Sequence, residues 1–191
     1  MRDAWIIGAH STTFGRKPEA SYKDLTRETY LGVLGDAGLD AGTDIEMVWF
    51  SNCGMWVDGQ SSIRGQVCFT PLVREGLFPE RVPTINVEGG CASAQMALHG
   101  AWKDVLSGQS ALSLAVGVEK LFHPDAPERT QAAFAAAIDA LDPQEWRDYY
   151  TAAGEQAGKP FDPGPGRTIF MDTYAMQACH HMKRYGTTQR Q

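Results

Sequence analysis

The sequence predicts an α/β chain built on a mainly parallel, buried sheet. Three observations carry this. Short apolar runs alternate with segments of helical spacing through residue 121, and an apolar strand passes into a helix across the paired glycines Gly89 and Gly90. The chain has 191 residues of which 43% are hydrophobic, enough for one sizeable core, with no run long enough to span a membrane. Strands that alternate with helices imply right-handed crossovers, and ligands of such sheets bind beyond the carboxyl ends of the strands.

Trp5, Ile6 and Ile7 begin a first short strand, and residues 22–37 carry a helical pattern. Residues 47–50 read as the second strand, 61–76 as the second helix and 82–87 as the third strand. Ala94, Ala97, Leu98, Ala101, Trp102 and Val105 then recur at helical spacing up to a stop near Gly108, and residues 111–118 supply a fourth strand. The predicted order is βαβαβαβ.

Composition shifts after Leu121: residues 123–167 are rich in proline, alanine and charge. DAPE at 125–128 and DPQE at 142–145 each set a capping aspartate three residues before a glutamate, which predicts two short helices. Phe134, Ile138 and Leu141 give the first an apolar face, and Trp146, Tyr149 and Tyr150 do the same for the second. PFDPGPGR at 160–167 reads as a turn-rich connector. His180 and His181 are adjacent on a further helix and point about 100° apart, so they cannot grip a metal as a pair and read as surface. His10 and His99 read as structural histidines.

Lysine and arginine total 17 against 23 acidic residues, a formal charge of −6 with no basic block, which argues against nucleic acid as a partner. Cys53, Cys68, Cys91 and Cys179 are scattered without the close pairs of a zinc site. The N-terminus lacks a basic region followed by an apolar segment. The expectation is a cytoplasmic chain with free thiols, no metal and no membrane anchor.

Cys91 stands apart from the other cysteines. Thr84, Ile85 and Val87 end a strand, Gly89 and Gly90 let the backbone turn sharply, and Cys91 opens the helix. A thiol so placed meets free backbone N–H groups and the positive end of the helix dipole, which favour its nucleophilic thiolate. The glycines also remove bulk where a ligand would approach. On spacing alone two readings stand side by side: a small buried core thiol, as most intracellular cysteines are, or an activated nucleophile. Cys53 and Cys68 flank a loop with Met55 and Trp56 and read as packing residues.

The run NVEGGCASAQMAL at 86–98 resembles the nucleophile segment of thiolases, most of all the sterol-carrier-protein type within that superfamily. AWIIGAHSTTFGR at 4–16 resembles their first strand and loop, and ALSLAVGVEKL at 111–121 resembles the strand after the nucleophile helix. MDTYAMQACHHMKRYGTT at 171–188 resembles the helix leading out of their loop domain. The related ketoacyl synthases show a different, serine-rich neighbourhood after the cysteine. One departure is Ala94, where thiolases commonly have glycine; its methyl would narrow or reshape an acyl pocket.

The resemblance implies the N-terminal half of a thiolase-like fold. Residues 1–121 would form the α/β core, 122–168 a helical loop domain that covers the pocket and holds the pantetheine arm of coenzyme A, and 169–191 a helix returning to the core. Cys91 would be the acyl-carrying nucleophile. Met171 would line the coenzyme A pocket, with packing of a helix start as the other reading. Coenzyme A enters as substrate or product, with no tightly bound cofactor. The implied reaction cleaves a 3-ketoacyl-CoA, or condenses acyl-CoAs in reverse. The alternatives are a thiolase-like aldolase acting on CoA-linked side chains, and a non-catalytic acyl-CoA or lipid-binding subunit. The family's activating histidine, second cysteine and second histidine lie in a C-terminal half beyond Gln191. The expected partners are therefore an acyl-CoA, a complementary C-terminal half, a second copy in a homodimer or higher oligomer built on residues 82–87, and a small OB-fold or zinc-ribbon protein.

Overall fold

The computed structural model describes residues 3–164 and 168–190, so residues 165–167 of the predicted connector lie outside the described residues. The elements are α1 (Tyr22–Ala37), β1 (Met47–Ser51), a 3₁₀ turn (Met55–Asp58), α2 (Arg64–Arg74), β2 (Thr84–Val87), a second 3₁₀ turn (Gly90–Ala92), α3 (Ser93–Ser107), β3 (Ser113–Gly117), α4 (Pro127–Ala135), α5 (Pro143–Ala157) and α6 (Ile169–Tyr185). They fall into two units, Met1–Pro127 and Glu128–Gln191.

In the first unit the strands form a parallel sheet in the order β2-β1-β3. Trp49 of β1 pairs with Ile85 on one side and Ala115 on the other. Alternation along β1 then decides which helices cover which face. Val48 and Phe50 are fully buried in a cluster with Tyr30 and Leu34 of α1, Phe69 and Leu72 of α2, and Leu114 and Val116 of β3. Tyr30 meets Phe69 and Phe78 edge-on at 5.8 and 5.3 Å between ring centroids. Each such buried side chain contributes about 1.5 to 3 kcal/mol relative to exposure. Trp49 serves α3: its indole N–H donates to Asp104 Oδ2 at 2.6 Å, and its ring lies against Gly100.

Local chemistry sets the boundaries. The first predicted helix coincides with α1, which opens on a capping box: Asp24 N–H donates to Ser21 Oγ, and Ser21 N–H donates to the Asp24 carboxylate at 2.9 Å. The third strand starts two residues later than predicted because Pro83 has no N–H for the ladder; its carbonyl still accepts from Val48 N–H at 3.0 Å. The second helix starts at Arg64, since Ile63 before it is held in the left-handed region at φ 48°.

Two expectations are corrected. Trp5, Ile6 and Ile7 do not form a strand: they lie outside any ladder and are 80%, 76% and 55% exposed. A groove of about 590 Å³, lined by Trp5, Ile7, Leu98, Trp102 and Leu114 among others, separates them from β3, so no ladder forms. The segment is tied instead to α1, where Ala9 N–H donates to Asp36 Oδ2 at 2.8 Å. In the second unit the helix α4 ends at Ala135, before Ile138 and Leu141, and Leu141 is fully exposed. The predicted three-residue apolar face thus reduces to Phe134, which packs edge-on against Phe170.

Helix α5 is longer than predicted at 15 residues, and its Asp142 cap accepts from Glu145 N–H at 2.9 Å. Trp146, Tyr150 and Phe161 form an aromatic cluster beside it. α5 and α6 approach closely at Gly154, where an added Cβ would stand 3.1 Å from Met176 Sδ. Among the described residues no helix is long and apolar enough to cross a membrane.

Two glycine substitutions read the packing in opposite directions. Gly100→Ala drives a methyl into the Trp49 ring and is expected to destabilise by about 1 to 3 kcal/mol. Gly35→Ala, inside α1 with nothing near the new Cβ, is expected to stabilise by about 0.5 to 1 kcal/mol. Thermal unfolding of the two variants checks both signs.

Candidate active site

Cys91 lies just past the carboxyl end of β2, in the 3₁₀ turn Gly90–Ala92 that precedes α3, and it is exposed. The predicted helix-opening position is therefore one turn earlier than α3 itself. Gly90 takes φ 55°, a left-handed conformation that favours glycine. A Cβ on Gly89 would collide with the Met96 thioether. Buried Ser93 closes the turn onto the helix: its Oγ accepts from Gly89 N–H at 2.9 Å and donates to the Gly90 carbonyl at 2.7 Å. No side chain caps α3; the turn itself takes up the first amides, Ala92 N–H donating to the Gly89 carbonyl at 3.0 Å and Ser93 N–H to the Gly90 carbonyl.

The loops after β1 and β3 come to the same sheet edge and are tied together by polar side chains. Buried Asn52 donates through Nδ2 to the Val118 carbonyl at 2.6 Å and accepts from Met55 N–H at 2.9 Å. The Glu119 carboxylate accepts from the backbone N–H groups of Cys53 and Gly54. Arg64, at the start of α2, donates from Nη1 to the Asn52 carbonyl at 2.6 Å and to Glu88 Oε2 at 3.0 Å. Nearby, His123 Nε2 stands 3.7 Å from Asp58 Oδ2, which also accepts from Tyr22 OH at 3.0 Å. Sequence reasoning missed Asn52, Arg64, Glu88 and Glu119 as parts of one assembly. The local signals were a glutamate directly before the glycine pair and an arginine at the first position of an amphipathic helix.

All four cysteines are free thiols. Cys68 is fully buried in the α1–α2 cluster, where burial pushes its thiol up. Cys53 is pushed up to about 12 by burial, then by the charge of Glu119 and a hydrogen bond to it, so it stays a neutral thiol. Ala94 sets its methyl toward β3, where a Cβ built at Gly117 would lie 3.5 Å away. Met171 is exposed in the first turn of α6, in the second unit, and so is not a core residue of that unit. His99 stacks on Trp102 along α3, His10 packs over Gly32 of α1, and His180 and His181 are exposed on α6.

The two environments predict a pH-resolved labelling pattern. Iodoacetamide at pH 7.5 is expected to modify Cys91 well ahead of Cys53 and Cys68. Cys53 should remain slow through pH 9 and gain reactivity only as the pH approaches 12. Peptide mass mapping of the labelled protein gives the order.

Comparison with known proteins agrees with this layout. The family described as thiolase, N-terminal domain, matches residues 4–147. The chain is 33% identical over 195 aligned residues to an acetyl-CoA acetyltransferase of Methanothermobacter thermautotrophicus, covering 100% of this chain and 42% of that protein. It is 29% identical over 118 residues to the benzoylsuccinyl-CoA thiolase subunit BbsB of Thauera aromatica, covering 62% of this chain and 28% of that subunit. Against sterol carrier protein 2 of Gallus gallus the identity is 29% over 123 residues, covering 63% and 21%. The chain spans about two-fifths of the length of the acetyl-CoA acetyltransferase. With a strand, a glycine turn and an exposed cysteine at the carboxyl edge of a parallel sheet, and with that match over most of its length, the chain belongs to the thiolase family through its N-terminal domain.

Proposed function

We propose that this chain is the nucleophile-bearing part of a thiolase-type acyltransferase that works on coenzyme A thioesters. The single observation that carries the reading is the accessible thiol of Cys91 on its glycine turn at the carboxyl edge of the sheet. In the cleavage direction the Cys91 thiolate attacks the 3-keto carbon of a 3-ketoacyl-CoA. A C–S bond forms, the bond between C2 and C3 breaks, and its electron pair leaves on acetyl-CoA or a shorter acyl-CoA, which takes up a proton. The thiol of a second coenzyme A then attacks the acyl-cysteine, releasing the shortened acyl-CoA and restoring Cys91. The reverse sequence is a Claisen condensation. The Cys91 backbone N–H would be one donor to the oxyanion; loss of one oxyanion donor costs about 3 to 4 kcal/mol in a serine protease.

The bases for these proton transfers belong in this reading to a complementary C-terminal half, either a separate subunit or the rest of a longer polypeptide. Exposed Met96, Leu98 and Trp102 along α3 support a covering partner. The open outer edge of β2, with Ile85 37% exposed, is compatible with a homodimer or higher oligomer built there. Residues 122–168 would act as the loop domain over the coenzyme A arm, with Met171 at its pocket. A small OB-fold or zinc-ribbon protein is a further partner of this reading, and the compartment is the cytoplasm.

The test is intact mass spectrometry of the protein with its complementary half after incubation with acyl-CoA. An acyl adduct on wild type that is absent from Cys91→Ala is expected. No adduct on wild type, or the same adduct on the variant, overturns the reading.

A further inference from the structure

The structure assigns Arg64 as a positioning residue for Cys91, acting through Glu88; the inference rests on Cys91 being the reactive thiol. Three observations lead there. The Arg64 side chain is only 9% exposed, and a buried guanidinium needs partners that meet its charge. Its Nη1 serves two of them at once, the Asn52 carbonyl at the end of β1 and the Glu88 carboxylate at the end of β2. Asn52 carries the connection on to Val118, at the end of β3. One cation therefore joins the three loops at the edge where Cys91 emerges.

Glu88 is the residue through which this reaches the thiol. It directly precedes Gly89 and Gly90, and the glycines leave that turn with little stiffness of its own. Ser93 holds the turn from the helix side, and the Arg64 contact holds it from the strand side. Cys91 is thus suspended between two anchors. The backbone supports the same reading. Ile63, a β-branched residue, occupies the left-handed region immediately before Arg64, a conformation that such residues rarely accept. That bend starts α2 with its first side chain turned in toward the sheet edge. Packing alone offers no reason for it, since Ile63 itself is 57% exposed.

Arg64 also neutralises Glu88. A carboxylate released from its cation three residues from Cys91 would oppose the thiolate that any electrophile consumes. Arg64→Met should therefore lower the rate of Cys91 alkylation by iodoacetamide at pH 7.5 at least fivefold, measured by peptide mapping relative to Cys179 of the second unit. A merely structural loss would not move that ratio in this direction. Arg64→Lys retains the charge and should stay within twofold of wild type. Glu88→Ala removes a half-exposed side chain and spares the core, so it covers the case in which Arg64→Met does not fold. In it, hydrogen exchange at the amides of residues 89–92 should quicken at least fivefold while that of α6 stays unchanged.

An unchanged or faster Cys91 rate in folded Arg64→Met overturns the assignment, as does unchanged exchange in Glu88→Ala. The intact protein is used throughout. A wild type that alkylates at Cys91 in an Arg64-dependent way but never acquires an acyl group removes the acyltransfer reading and leaves this one standing. An acylated wild type whose Cys91 is indifferent to Arg64 does the reverse.

Discussion

The parallel pairing of β1 with a strand on each side is the constraint from which the rest follows. Because β2 and β3 both run with β1, the loops leaving all three strands emerge at one edge. Because β1 is central, its side chains must be covered on both faces. Val48 and Phe50 bring α1 and α2 to one, and Trp49 brings α3 to the other. α3 can cross back only by starting where β2 ends, and Cys91 occupies that junction. The thiol stands at the sheet edge because the sheet is parallel, and it is exposed because a glycine turn carries it there.

The edge is organised by polar side chains where the core is organised by apolar ones. Asn52, Arg64 and Glu119 satisfy backbone groups that the ends of the strands leave over, and they do so across chain separations that no local element could bridge. Such groups are costly to bury unless paired, so the bonds specify one arrangement of the three loops more than they add to stability. The strained backbone at Ile63 has a cost of order 1 to 3 kcal/mol that the surrounding packing must offset. Cys53 shows the opposite use of the same environment. Two residues past β1 and pressed against Glu119, it is kept neutral, while Cys91 sits on the exposed side of the edge.

Much of the core was legible because it is periodic. The helical spacing of 22–37, the apolar strand runs and the strand–glycine–helix junction all report short-range geometry, and they reappear as α1, β1 to β3 and the Cys91 turn. Pro83 could have trimmed β2 from sequence alone. Trp5, Ile6 and Ile7 misled because an apolar triplet becomes a strand only when a neighbour supplies its hydrogen bonds, and across the groove β3 does not. Ile138 and Leu141 misled in the same way, since apolar spacing without a surface to pack on does not extend a helix. The polar assembly was illegible for a different reason. Asn52 meets Val118 across 66 residues and Arg64 meets Glu88 across 24, and no repeat or motif links such pairs before the strands are placed.

The central claim is covalent capture of an acyl group by a thiol held at the end of β2. Isotope exchange between acetyl-CoA and labelled coenzyme A tests it most directly, because that exchange needs capture and release of the acyl group but no carbon–carbon bond chemistry. The complete protein is expected to catalyse the exchange, and Cys91→Ala to lower its rate by about a thousandfold or more. Exchange retained in the folded Cys91→Ala protein would contradict the account.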